Sequence, residues 1–173
     1  ARKRRRRAQG GARLGLGLVF FGMVVMSESM NPLRSYQPFI DAMGTLDNLF
    51  LGILVGMLFT AVVQSSSATT GVVIVLASQG LISLDAGIAL VLGANIGTSI
   101  TALLAAIGKP RDAQRAAVAH MLFNVIGVLI WIPFVVFLTD IVSRIGGGVP
   151  REIANAHTIF NAFNGLVFLP FVT

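Results

Sequence analysis

Between Asp47 and Asp85 no residue carries a charge, and the middle of that run reads Gln64-Ser65-Ser66-Ser67-Ala68-Thr69-Thr70. A bilayer core takes about 20 apolar helical residues, so the run is too long for one straight span. It is too short for two full spans and a loop. The apolar arms, residues 49–63 and 71–82, are each shorter than a spanning helix. Two half-length arms around a polar break predict a re-entrant helical hairpin whose tip, residues 64–70, is buried inside the membrane. Irregular backbone at that depth is tolerated only where protein or a watery cavity surrounds it.

The tip carries hydroxyls and one amide, with no net charge. Neutral oxygen ligands suit a hard cation such as Na⁺. Hydroxyl donors and free N–H groups at the start of a half-helix suit an anion. The plainer alternative is that the hydroxyls bond back to their own helix or join neighbouring helices.

Charged residues make up 12% of the chain and apolar ones 55%. A soluble domain carries about 25% charged residues. The balance predicts an all-α, polytopic membrane protein. The net charge of +6 is concentrated at one end, because Arg2, Lys3, Arg4, Arg5, Arg6, Arg7 and Arg13 all precede the first apolar segment. Such a run occurs in nucleic-acid patches. Beside a membrane segment it reads as a cytoplasmic anchor against anionic lipid, so no nucleic-acid partner is expected. With no cysteine, neither disulfides nor thiolate chemistry enter. The chain lacks an initial Met and stops just after an apolar segment, which reads as a piece of a longer protein. No small-residue cleavage site follows the first apolar run, so a signal peptide is not expected.

Taken in order, residues 14–30 form a first span, with Gly15, Gly17 and Gly22 offered for close helix contact, and Pro32 stops it. Residues 34–47 predict a short interfacial helix before the hairpin. The next apolar segment, residues 84–107, contains Gly93-Ala94-Asn95-Ile96-Gly97-Thr98-Ser99-Ile100-Thr101. Two glycines around an Asn, followed by hydroxyls, predict a transmembrane helix unwound at mid-membrane, the kind of discontinuous helix that builds ion sites in transporters. The competing reading is a continuous helix with small residues on a packing face. Asn95, Thr98 and Thr101 share a face either way. Pro110 then begins a long helix with its apolar part at residues 116–138, and a glycine-rich loop leads to a last segment at residues 153–173.

A short repeat links these last two helices. Ala119-His120-Met121-Leu122-Phe123-Asn124 matches Ala156-His157-Thr158-Ile159-Phe160-Asn161. His and Asn four residues apart share one face. Intramembrane His is a functional hypothesis by default. Symmetric repetition and the lack of an acidic partner favour interhelical bonding instead, with all four side chains facing the interior. Lys and Arg alone set the orientation. An inside N-terminus puts Lys109, Arg111 and Arg115 inside and leaves Arg34, Arg144 and Arg151 outside.

Through Gln64-Ser65-Ser66-Ser67, Gly93-Ala94-Asn95-Ile96-Gly97-Thr98 and both Ala-His-x-x-Phe-Asn helices, the chain resembles the type II sodium–phosphate cotransporters, particularly the bacterial ones. That resemblance implies a protein of the bacterial inner membrane built from two inverted repeats. Residues 14–173 would be one repeat, the second, behind a basic cytoplasmic segment at residues 1–13. It implies a Na⁺ site from Gln64, Ser65, Thr98 and Thr101, and a phosphate site from Ser65, Ser66, Ser67 and Asn95. Some members carry Ser at the position of Ala94, which here offers only its backbone carbonyl.

The expected function is sodium-coupled phosphate transport, with Na⁺ as the co-transported ion and a second inverted repeat as partner. No Arg or Lys lies in residues 48–84 or 86–108, so bound Na⁺ and helix-start N–H groups would have to offset the phosphate charge. A transporter of another oxyanion or a carboxylate, and a non-transporting scaffold tied to phosphate sensing, are the alternatives. A serine hydrolase needs one activated nucleophile with an oriented base. Three equivalent serines argue against it, and no enzymatic activity is expected.

Overall fold

The computed structural model describes residues 2–171, with side chains from residue 9 to residue 170. The side chains of Arg2 to Arg7 and the end of the last segment lie outside the described residues. The described chain is all-α, with eight α-helices, short 3₁₀ turns and no strand. The helices are α1 (Arg2–Ser29), α2 (Gln37–Gly44), α3 (Leu49–Val63), α4 (Ser66–Ser78), α5 (Leu84–Ala106), α6 (Arg111–Trp131), α7 (Val135–Ile145) and α8 (Val149–Phe168).

Local chemistry sets most boundaries. Asn48, Ser65 and Ser83 each accept a bond from a backbone N–H of the helix that follows, starting α3, α4 and α5. Pro133 lies in the 3₁₀ turn Ile132–Phe134 that separates α6 from α7, where its missing N–H interrupts the helical ladder. Helix α2 is the short helix expected before the hairpin, and it meets α3 at a bend of 111°.

Three stretches are long and apolar enough to cross a membrane, namely residues 9–35, Leu84–Ala106 and Arg111–Ile145. Helices α3 and α4 are not. The 15 residues of α3 rise about 22 Å and the 13 of α4 about 20 Å, against a hydrocarbon core of about 30 Å. Helix α8 has 20 residues, yet Asn155, His157, Asn161 and Asn164 keep it below the apolarity of those three.

Helix α5 lies at the centre, packed against α3, α4, α6 and α8. Every residue from Ala86 to Asn95 is buried, as suits a helix that is apolar nearly all round. The expected unwinding of this helix does not occur. α5 is helical through all 23 residues, including the stretch from Gly93 to Thr101. The reason is on the facing helix. A Cβ at Gly93 would collide with the Ile53 carbonyl, and one at Gly97 would lie 2.5 Å from the Met57 carbonyl oxygen. Gly52 and Gly56 on α3 return the fit, against Ala89 and Leu90. Two Gly-x-x-x-Gly stripes thus bring the backbones together, which offsets the poor helix propensity of glycine.

Helix α1 behaves differently. Leu14, Leu16, Leu18, Phe20 and Phe21 are all exposed. Its Gly15, Gly17 and Gly22 meet no atom within 4 Å, so the close contact expected of them is not made within the described chain.

Candidate functional site: a neutral polar cleft

The break between α3 and α4 is two residues wide. Gln64 adopts a left-handed conformation (φ 60°, ψ 24°), and its N–H donates to the Thr60 carbonyl at 2.7 Å. Among the described residues it is the non-glycine with positive φ. Ser65 is extended, and its Oγ accepts from the Ala68 N–H at 3.2 Å. Ser66 already begins α4. The ends of the two helices are tied by a buried pair, Thr60 Oγ1 donating to Thr69 Oγ1 at 2.8 Å. Only part of the expected tip is therefore buried. Thr69 and Thr70 are buried, Ser65 and Ser66 half-buried, and Gln64, Ser67 and Ala68 exposed. Once α4 winds from Ser66, Thr69 and Thr70 turn into the bundle and Ser67 and Ala68 turn away from it.

A cleft of about 680 Å³ lies beside this break. Helix α4 contributes Ser66, and α5 contributes Asn95 and Thr98. Helix α6 adds His120, Phe123 and Asn124, while α8 adds His157, Thr158, Asn161 and Ala162. Of the residues singled out from sequence, Ser66, Asn95 and Thr98 come together here. Gln64, Ser65, Ser67 and Thr101 do not line it. Thr101 Oγ1 is instead buried without a hydrogen-bond partner. The glycine-rich stretch of α5 lies beside the hairpin break, with Ser66, Asn95 and Thr98 on one cleft.

The two Ala-His-x-x-Phe-Asn motifs meet at this same cleft. Asn124 is buried, His157 and Asn161 are half-buried, and His120 is exposed. Reading the motifs as helix joints missed this role. The usable signal was that each motif sets His and Asn four residues apart, and Asn95 and Thr98 stand three apart, so that each of the three helices presents a polar face. Their aromatic members diverge. Phe160 is fully buried in the core, while Phe123 lines the cleft and stacks on Phe168 with ring centres 4.8 Å apart.

The cleft's polar groups are committed in one direction. Thr98 Oγ1 donates to the Ala94 carbonyl at 3.0 Å, and Thr158 Oγ1 to that of Ala154 at 2.9 Å. The amide groups of Asn95, Asn124 and Asn161 donate to carbonyls four residues back, at 2.9, 3.0 and 2.8 Å. The side chains thus bond back to their own helices, and the oxygens stay free to accept or to coordinate. No Asp, Glu, Lys or Arg lines the cleft. Such a surface has no fixed charge with which to hold a lone phosphate, and no carboxylate with which to hold a divalent metal.

These features define an integral membrane protein with a neutral, oxygen-rich cleft at its centre. The family model described as Na+/Pi-cotransporter matches residues 38–149, and the chain belongs to that family. The matched stretch runs from α2 to the start of α8 and so excludes the second His-Asn motif. Among curated proteins, the uncharacterized protein YqeW of Bacillus subtilis (strain 168) is 35% identical over 143 residues, covering 82% of this chain and 47% of that protein. The human sodium-dependent phosphate transport protein 2C is 45% identical over 86 residues, 47% of this chain and 14% of that protein. The 2A protein of Ovis aries is 42% identical over 88 residues, 49% of this chain and 14% of its own length. The matches span less than half the length of each of these relatives. No solved structure matches.

Proposed function

We propose that this chain is one repeat of a sodium-coupled symporter of inorganic phosphate, and that a second, inverted repeat completes its site. The observation that carries the reading is the cleft. It gathers Ser66, Asn95 and Thr98 around neutral oxygens in a chain of the Na+/Pi-cotransporter family. Ser66 opens α4, where unpaired N–H groups and the positive end of the helix dipole favour an anion. Gln64 ends α3, whose unpaired carbonyls favour a cation. The two helix ends therefore sort ligands by sign. A phosphate entering a cleft without fixed charge gains most when Na⁺ is already bound, and that dependence is the physical origin of coupling.

In this reading Ser65, Ser66 and Ser67 serve the phosphate and Gln64, Ser65, Thr98 and Thr101 the Na⁺, while Asn95, its Nδ2 held by the Val91 carbonyl, turns its oxygen to a cation rather than to phosphate. Gln64, Ser65 and Ser67 stand outside the cleft of this repeat, so they act only once the second repeat covers the hairpin, while Thr101 Oγ1, buried and unpaired, is an oxygen still open to a ligand. The hairpin is re-entrant, the N-terminus is cytoplasmic, and the membrane is the bacterial inner membrane. The test is uptake of labelled phosphate by vesicles containing the full-length protein. Uptake driven by an inward Na⁺ gradient and abolished by replacing Na⁺ with K⁺ is expected. Uptake indifferent to Na⁺, or strong uptake of sulfate or a carboxylate in place of phosphate, would overturn the assignment.

A further inference from the structure

Three asparagines from three different helices line the cleft, and all three make the same hydrogen bond. Asn95 on α5, Asn124 on α6 and Asn161 on α8 each donate from Nδ2 to the carbonyl four residues earlier. A backbone carbonyl only accepts, so the group facing it must be the NH₂ end of the amide. The orientation of each amide follows from that requirement alone. Each Oδ1 then points away from its own helix. None of the three accepts a hydrogen bond from the described residues, and none is sealed in the interior without a partner. Asn164, one turn beyond Asn161, provides the contrast, since both its polar atoms are buried and unpaired.

Three carbonyl oxygens presented to one cleft form a patch of acceptors, beside the hydroxyls of Ser66, Thr98 and Thr158 and the imidazoles of His120 and His157. It repels an anion and suits a hard cation. Backbone carbonyl oxygens, chemically similar to an amide Oδ1, coordinate Na⁺ at broken helices of other transporters. A divalent cation is usually held through carboxylates, and none lines the cleft. Two of the three side chains are also well ordered by burial, Asn95 being 6% and Asn124 4% exposed. Ordered ligands lose little freedom on binding. We propose that Oδ1 of Asn95, Asn124 and Asn161 form a Na⁺ site across α5, α6 and α8, separate from the hairpin residues Gln64 and Ser65. The proposal deepens the transport reading and rests on it for the role of the ion.

The test uses the full-length protein with Asn124→Ala, Asn161→Ala and Asn124→Asp. Two readouts are needed, thermal stabilisation by NaCl over KCl without phosphate, and Na⁺-driven phosphate uptake. Each Ala variant should raise the Na⁺ concentration for half-maximal effect about tenfold or more in both. The phosphate concentration for half-maximal uptake at saturating Na⁺ should move far less. Asn124→Asp keeps an oxygen but gives up the NH₂ donor to the His120 carbonyl. It should lose stability yet hold Na⁺ at least as well as the unaltered protein, an outcome that simple helix packing does not produce. Unchanged Na⁺ dependence in Asn161→Ala and Asn124→Ala, with uptake intact, would overturn the Asn site and leave the transport reading standing. If the Ala variants fail to fold, weakened Na⁺ binding in Asn124→Asp overturns it instead. Na⁺ stabilisation lost in the Ala variants, in a protein that never moves phosphate, would uphold the Asn site and remove the transport reading.

Discussion

Helix α5 is treated in opposite ways on two of its sides. Along α3 the two backbones touch, with Gly52 and Gly56 on one side and Gly93 and Gly97 on the other. Toward α6 and α8 the packing opens into the polar cleft, where Asn95 and Thr98 of the same helix are displayed. One short stretch, residues 93–101, therefore does both jobs. Its glycines anchor the helix, and Asn95 and Thr98 face the cleft. The difference teaches that the site's precision comes from the closed seam. A helix held by backbone contact on one face holds the groups on its other face in register.

The largest effect should follow from a substitution in the closed seam. Gly93→Val drives a side chain into the Ile53 carbonyl, and backbone cannot move aside as a flexible side chain can. A loss of about 3 kcal/mol or more is expected, seen by unfolding of the solubilised full-length protein. Near-normal stability would mean that the two helices do not pack this closely.

Thr69→Val comes next, at the end of the same seam. It strands the buried Thr60 hydroxyl, which now donates to Thr69, and should cost about 1–3 kcal/mol. Gln64→Gly should act in the other direction. A left-handed residue with a side chain is strained by roughly 1–2 kcal/mol, so glycine should raise stability by about that much. Under the proposed cation role the same variant should need more Na⁺ for uptake, so stability and function would move apart. The smallest change in stability belongs to the cleft. Thr98→Val loses only a bond back to its own helix and should shift stability by no more than about 0.5 kcal/mol. Its effect should appear in the Na⁺ dependence of uptake. A large loss of stability there would make the cleft a packing surface like the seam.

Much of this was legible in the residues themselves. The half-length of α3 and α4 followed from where charges are absent, but the second arm, expected at residues 71–82, starts already at Ser66. The break at Gln64 and Ser65 was legible as a place but not in its width, because a single capping Ser lets a helix restart at once. The state of residues 93–101 was not legible locally. Glycines that weaken an isolated helix also admit a close neighbour, and the choice depended on Gly52 and Gly56, about forty residues earlier in the chain. The cleft was harder still. His120 and His157 with their asparagines sit on helices that meet only in three dimensions, and each stripe alone looks like an ordinary joint.

The central claim is that the cleft beside Ser66 receives phosphate together with Na⁺. This chain has no cysteine, so Ser66→Cys gives it a single thiol. In a full-length protein freed of any other reactive thiol, the rate of modification by a small water-soluble thiol reagent reports access to the cleft. The account predicts rapid labelling in KCl, with or without phosphate, and marked slowing when Na⁺ and phosphate are both present. Labelling at one rate in all conditions, or protection by phosphate regardless of Na⁺, would contradict it.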